Sequence, residues 1–509
     1  MKAISLSQFL ILASLTLPFH VCVSGLRAAT PVGARQTIDV QDLRRHVSFL
    51  ASDTLEGRAA GTQGGQAAAG YLVAEFRKLG LTPAGEADDF LQEFGRGYRN
   101  VLALLPGSDP ELSEQVVLLG GHFDHVGYGR PGNSFGPFGQ IHNGADDNAS
   151  GAAAILEVAQ ACAQLDQRPA RSILFALWDA EEDGMLGSEH WIVHPTFAVS
   201  QLKLVLNVDM IGRLRQDRVT VYGVRTAAGL RQLASLANRD TRLSLDFDAT
   251  QRQDSDHWTF YRRRIPYLMF HTGDHDDYHR PSDDAHKLNY GGLEQLTRLI
   301  FETAHSAAGI ATLAAFRSEV VRERLGESSE TGSPKPPRLG VSWNTDRGPA
   351  EPFRITRVVP DSPAAQAGLM AGDQIVRING QPASEIDDLA AVVLAAPERS
   401  VLIIEREGKL TPLEVPVTFG GSPVRLGVQW RTDSSEPESV IVTGVVAGSP
   451  AAGAGLAVGD RLSSTDPSEL PPGEWLQSAT AASHLRLSLR LERTGVLQDV
   501  VIDLLPVAD

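Results

Sequence analysis

Cysteine is nearly absent from this 509-residue sequence: Cys22 and Cys162 are the only two. That excludes a disulfide framework, and stability must come from a buried core. Cys162 stands alone in a predicted helix and reads as a small core residue. Long apolar runs are missing too. The longest, Phe9 to Phe19, falls short of the ~20 residues that span a bilayer. Nor is there an excess of positive charge. With 46 Lys and Arg against 62 Asp and Glu, the net charge is -16, which repels nucleic acid and anionic membrane surfaces.

What is present is ordinary globular composition, 42% hydrophobic and 21% charged, at a length that suggests about three domains. Lys2, the apolar run Phe9 to Phe19 and the small residues Ser24, Gly25, Ala28 and Ala29 have the pattern of a signal peptide over residues 1–29. An exported protein, periplasmic or extracellular, is the expectation. Phe19-His20-Val21 before Cys22 lacks the small residues of a lipid attachment site.

From about Val40 to Ala311, short apolar runs alternate with helical stretches, the pattern of an α/β protein. Val116 to Leu119, Ile173 to Trp178, Leu204 to Val208 and Ile265 to Phe270 suit strands covered on both faces. Helices are expected over Gln66 to Leu79, Ala152 to Leu165 and Thr226 to Asn238, the first closed by Gly80. Residues 326–337 are polar, end in prolines and read as a linker.

Beyond the linker the sequence repeats. Arg338-Leu339-Gly340-Val341 returns from Arg425, Ser362-Pro363-Ala364-Ala365 from Ser449, and Gly372-Asp373 from Gly459, each time 87 residues later. Two copies at so long a period mean tandem domains, over 338–419 and 425–507. Each copy resembles the PDZ domain in its circularly permuted form. The resemblance implies that the backbone at Leu339-Gly340-Val341 receives a peptide C-terminus and the peptide adds as a strand. Ile378-Asn379-Gly380 supplies the first copy's turn; Thr465-Asp466-Pro467 breaks that pattern in the second.

The chemistry lies earlier. His122 and Asp124 (GGHFDH), Asp146 and Asp147 (GADDNASG), Glu181 and Glu182 (WDAEEDG), Asp209 (NVDMIG) and His279 (DYHRPSDD) mostly follow strands. In an α/β sheet, functional groups collect at the carboxyl ends of strands. Crowded carboxylates repel unless something positive neutralises them. No matching set of Lys or Arg accompanies these motifs, so paired divalent cations are the economical answer. Imidazole and carboxylate without thiolate favour zinc, with manganese or cobalt as alternatives.

As a set, these motifs resemble the co-catalytic di-zinc aminopeptidases typified by bacterial leucyl aminopeptidases. The likeness runs from Leu50 to Lys287 and includes Glu56-Gly57-Arg58 and Ser255-Asp256-His257. It implies a mixed, mostly parallel central sheet flanked by helices over residues 36–315. It further implies that His122 and Asp209 hold one zinc, Glu182 and His279 the other, and that Asp147 bridges them. Glu181 would be the general base toward the water between the metals, Asp124 would orient the His122 ring, and Tyr278 would stabilise the intermediate through its hydroxyl. The substrate implied is a peptide with a free N-terminus.

Other residues carry plainer readings. Asp146 reads as a helix-start residue and Asp283 as a turn former. His125, His142, His190, His194, His271 and His275 read as surface or supporting histidines, and Met210 as a pocket or core residue. Residues 127–144 form a glycine-rich loop by composition, placed to rim a cleft. Related alternatives are a glutaminyl cyclase or a carboxypeptidase-type relative, the latter needing a basic pocket that Arg262, Arg263 and Arg264 would have to supply. A non-catalytic binding protein with PDZ-like modules is the alternative of a different class. The 70 residues between Asp209 and His279 leave no room for the dimerisation insert of aminoacylase-like hydrolases.

Overall fold

The computed structural model describes residues 32–323 and 338–505, except 347, 349–350, 422–423, 447, 467–469 and 482–484. The expected signal segment and the linker core at 326–337 lie outside the described residues. The first segment builds one nine-stranded sheet from β1 (Thr82–Pro83), β2 (Leu91–Phe94), β3 (Tyr98–Leu105), β4 (Val116–His122), β5 (Ser172–Trp178), β6 (Leu202–Val208), β7 (Arg218–Tyr222), β8 (Ser244–Asp248) and β9 (Tyr267–His271). The order is β1-β3-β5-β4-β6-β9-β7-β8, with β2 paired to β3. The central run β5-β4-β6-β9 is parallel, whereas β3 and β7 join it antiparallel.

Near-continuous apolar runs form these central strands because both faces are covered. Along β4, Val117 and Leu119 enter one core with Phe175, Leu206 and the helix Gly151–Ala163, while Val116 and Leu118 enter the other with Trp178 and Val205. The alternation of side chains along a strand puts neighbours on opposite faces, so two cores require no polar residue between. The helix Gln63–Lys78 is capped by the Thr62 hydroxyl on Gly65 N–H, and Gly80 follows at φ 69°, the left-handed ending that the sequence suggests.

Two expectations shift. The helix expected from Thr226 runs only over Leu230–Ala237. The Thr226 hydroxyl donates to Gly223 and Tyr267 carbonyls and accepts from Tyr267 N–H, which ties that residue to β9 instead. Ile265 and Pro266 precede β9, since the strand begins at Tyr267.

The C-terminal residues form two further sheets of six and five strands. The 87-residue repeat is physical. The Ser362 and Ser449 hydroxyls cap matching short helices, and Asp373–Arg406 recurs as Asp460–Arg493. Asn379 and Gly380 take positive φ at the expected first-module turn. The edge strand of the first module, Val341–Trp343, begins directly after Leu339-Gly340.

The second module packs onto the first segment. Arg231 pairs with Glu492 at 2.8 Å and Arg225 with Asp433 at 2.9 Å. Thr494 O accepts from Leu245 N–H, so a hairpin tip meets the sheet's edge strand β8. Arg317 adds bonds to Glu323 and Ser434.

Candidate metal centre

The parallel strands deliver their carboxyl ends to one side of the sheet. His122 is the last residue of β4; Glu181 and Glu182 follow β5; Asp209 follows β6; His279 lies beyond β9. Asp147 comes from the loop leading into the helix Gly151–Ala163. The five residues expected to hold metal are brought together.

His122 Nε2 lies 3.3 Å from Asp147 Oδ1 and 3.4 Å from Asp209 Oδ1. On the other side, His279 Nε2 lies 3.0 Å from Asp147 Oδ2 and 3.1 Å from Glu182 Oε2. Asp147 thus offers one oxygen to each group. Zinc bonds of ~2.0–2.1 Å in a tetrahedral arrangement place neighbouring donors about 3.3 Å apart, and these spacings fit that requirement. The donor set suits it as well: imidazole and carboxylate, buried except for half-buried Glu182 and His279, and within 4.8 Å of one another in each group. Against the lowering effect of burial, hydrogen bonds to Asp147 and Glu182 lift His279 to about 11. Positive charge is what this pocket attracts.

Asp124 is buried beside His122, its Oδ1 3.7 Å from the ring's Nδ1, and the same oxygen accepts the Glu181 N–H at 3.0 Å. Burial, opposed by His122 but reinforced by Asp256, Glu182 and Asp209, raises the Glu181 carboxyl well above the carboxylate range. The Tyr278 ring packs on His279 with centroids 4.0 Å apart; burial and the carboxylates Asp147 and Glu182 push its hydroxyl far up, keeping it protonated.

Supporting residues go beyond the sequence reading. Arg58 is fully buried and donates to the carbonyls of Leu50, Phe123, Asn143, Gly144 and Asp147, binding the His122 and Asp147 loops into one frame. Asp283 does more than shape a turn: its Oδ2 accepts the N–H of Asp146 at 2.8 Å and of Asp147 at 3.2 Å, while Arg213 holds its other oxygen. Asp146 accepts from Gly212 N–H and contacts His275, away from the two donor groups. His125, read from the sequence only as one of several surface or supporting histidines, is buried in contact with Glu182. Its position three residues after His122 was the available signal.

His142 and His271 are buried, while His190 stacks on Phe94 at 4.7 Å and meets His194 at a tilt. Met210 is buried and Cys162 lies in the core. Arg262, Arg263 and Arg264 are exposed; Arg264 lines a cavity with Arg171 and Lys203, but none of the donor-group residues lines it. Loop 127–144 packs against the His279 backbone, since Phe135 N–H and the Ser134 hydroxyl both donate to His279 O. Tyr128, Phe135 and Phe138 remain exposed on it.

Comparison with known proteins adds a second line of observation. Residues 100–304 match the model of peptidase family M28, and residues 354–406 match that of the PDZ domain. Leupeptin-inactivating enzyme 1 of Streptomyces exfoliatus is 26% identical over 351 residues, covering 67% of this chain and 72% of that protein. Aminopeptidase YwaD of Bacillus subtilis is 28% identical over 204 residues, 38% of this chain and 41% of that one. Among solved structures, the LapA aminopeptidase of Legionella pneumophila superposes with a TM-score of 0.46 at 21% identity, over 54% of this chain and 74% of that one.

Proposed function

The chain carries a zinc metallo-exopeptidase domain of family M28 followed by a PDZ domain, and from that premise we propose that it is an exported aminopeptidase. The observation that carries the proposal is the convergence of His122, Asp147 and Asp209 with Glu182 and His279 at metal-ligand spacing around a shared carboxylate. His122 and Asp209 would hold one zinc, Glu182 and His279 the other, with Asp147 between. Zinc bound there supplies Lewis acidity toward a scissile carbonyl and toward water.

The remaining steps belong to the chain's own residues. Glu181, placed beside the two donor groups with its N–H held by Asp124, takes the proton of the attacking water and passes it to the departing amine. Asp124 ties Glu181 to the His122 side of the site: its main-chain carbonyl lies 3.3 Å and its carboxylate 3.7 Å from the His122 ring's Nδ1, and the same carboxylate accepts the Glu181 N–H. Tyr278, protonated beside His279, donates to the oxygen that gains charge as water attacks. A free α-amine finds Glu181 and Asp209 as acidic neighbours, which favours removal of N-terminal residues.

We assign the working unit to residues 36–315, with modules over 338–419 and 425–507, the first receiving peptide C-termini along Val341–Trp343. No described helix is long and apolar enough to cross a membrane. The test is hydrolysis of aminoacyl-p-nitroanilides with and without chelator, joined to Glu181→Gln. That variant is expected to keep its zinc and lose about 10²–10⁴-fold in kcat. Full activity in it would remove Glu181 from the role, and no turnover by the zinc-loaded wild type would favour a binding protein.

A further inference from the structure

His125 has no place in the scheme above, yet it touches the same cluster. It is 1% exposed, with Nδ1 2.7 Å from Glu182 Oε1 and 3.8 Å from Asp147 Oδ2. Two donors on one tetrahedral zinc stand about 3.3 Å apart. The pairs made by His122 and His279, at 3.0–3.4 Å, approach that value. A contact of 2.7 Å is instead the length of a charge-assisted N–H···O bond. It also falls on the other oxygen, because Glu182 Oε2 is the atom facing His279. The two oxygens of this carboxylate are therefore divided between two imidazoles.

The tautomer follows from what surrounds the ring. His125 Nε2 is buried and has no hydrogen-bond partner among the described residues. An unpaired N–H is tolerated less well than an unpaired lone pair, so the proton belongs on Nδ1, where Glu182 accepts it. The fold prepares this placement. Gly144 sits at φ 54°, and a Cβ there would lie 2.5 Å from the imidazole's Cγ and Cδ2. Only glycine leaves room for the ring against that turn.

We propose that His125 is a positioning residue which holds Glu182 Oε1 through Nδ1–H and so turns Oε2 toward the zinc position shared with Asp147 and His279. This rests on the metal reading given above. Removing such a partner typically weakens metal binding by about 10–100-fold. The effect should fall on one zinc of the pair, since His122 and Asp209 do not touch His125's bonded atom.

The experiment loads the full-length protein with zinc and follows transfer to a chromophoric chelator. His125→Ala is expected to release one zinc about 10–100-fold faster and leave the other near its wild-type rate. His125→Asn, which keeps an N–H near the Nδ1 position, should recover most of the loss. Cobalt-substituted wild type and His125→Ala should share the same ligand-field bands, because no metal-bound nitrogen is lost. Unchanged release in His125→Ala overturns the inference, and so does a cobalt spectrum that reports a missing ligand. Should His125→Ala not fold, a crystal structure of the zinc-loaded wild type decides: an Nδ1–zinc bond of about 2.1 Å overturns the inference, an intact bond to Oε1 supports it. A wild type that takes up no zinc would defeat the metal reading itself, whereas two bound zincs indifferent to His125 would defeat this step alone.

Discussion

Two clusters of charge, one half-buried and one more deeply buried, are solved in opposite ways. At the seam between the first segment and the second module, Glu323, Asp433, Glu436 and Glu492 face Arg225, Arg231, Arg317, Arg431 and Arg461. Each carboxylate has a guanidinium partner, several of them bidentate. At the carboxyl ends of the central strands, Asp124, Asp147, Glu181, Glu182 and Asp209 face three imidazoles. The nearby cation, Arg58, gives its donors to carbonyl oxygens and is lowered by burial to about 10. The seam is complete as a set of side chains, whereas the pocket needs a cation to balance it. Charge balance separates a structural cluster from a candidate functional one.

The comparison breaks first on metal removal. Zinc at about 1,000 times its dissociation constant stabilises the native state by about 4 kcal/mol per site, so calorimetry should show a large loss on chelation. Asp147→Asn should be strongly destabilising with zinc present and less so after stripping, when only the contacts of its carboxylate to His122 and His279 are lost. An equal cost in both states would mean that the pocket balances its charge without metal.

The seam should ignore the chelator. Glu492→Ala removes the bidentate partner of half-buried Arg231 and leaves only its longer contact to Glu436 at 4.0 Å, a loss that should cost about 1–3 kcal/mol. That loss, read from unfolding with and without chelator, should be equal in the two conditions. A chelator-dependent cost would show that the two clusters are coupled.

Acid sharpens the contrast further. Burial alone would raise the Asp433 carboxyl, but hydrogen bonds from Arg225, Ser435 and Arg431 outweigh it and hold the group below the usual range. A depressed folded value stabilises above the unfolded one, about 3.9, and that contribution fades as pH falls below it. The difference in melting temperature between wild type and Asp433→Asn should therefore be constant from pH 7 to about 5 and shrink below about 4. The smallest effect is expected at Arg486–Asp503, whose side chains are 75% and 77% exposed; Arg486→Ala should change stability by less than about 0.5 kcal/mol.

Much of this was legible in the sequence where one residue type has one use. Continuous apolar runs located β4, β5 and β6 because only a doubly covered strand needs them. Motifs placed just after those strands gave His122, Asp147, Glu182, Asp209 and His279, which the fold brings within contact. The antiparallel joins of β3 and β7 were not legible, since short half-exposed strands such as Arg218–Tyr222 carry a weak pattern. His125 and Asp283 were undervalued for another reason. A histidine or aspartate reads alike whether it meets water or a ligand's free oxygen, and only long-range contacts at 57 and 136 residues' separation decide the matter. The seam was invisible because the pairs that cross it, Arg225–Asp433 and Arg231–Glu492, lie more than 200 residues apart.

Arg58 has one more implication. Because its guanidinium grips the carbonyls of both ligand-bearing loops, the polypeptide itself maintains the cage. An arriving ion then finds its donors preassembled, so little of its affinity is consumed in ordering chain and entry and departure can proceed without unfolding. Replace that guanidinium with a shorter amine, which cannot reach every carbonyl, and capture of zinc should become slower and costlier in entropy.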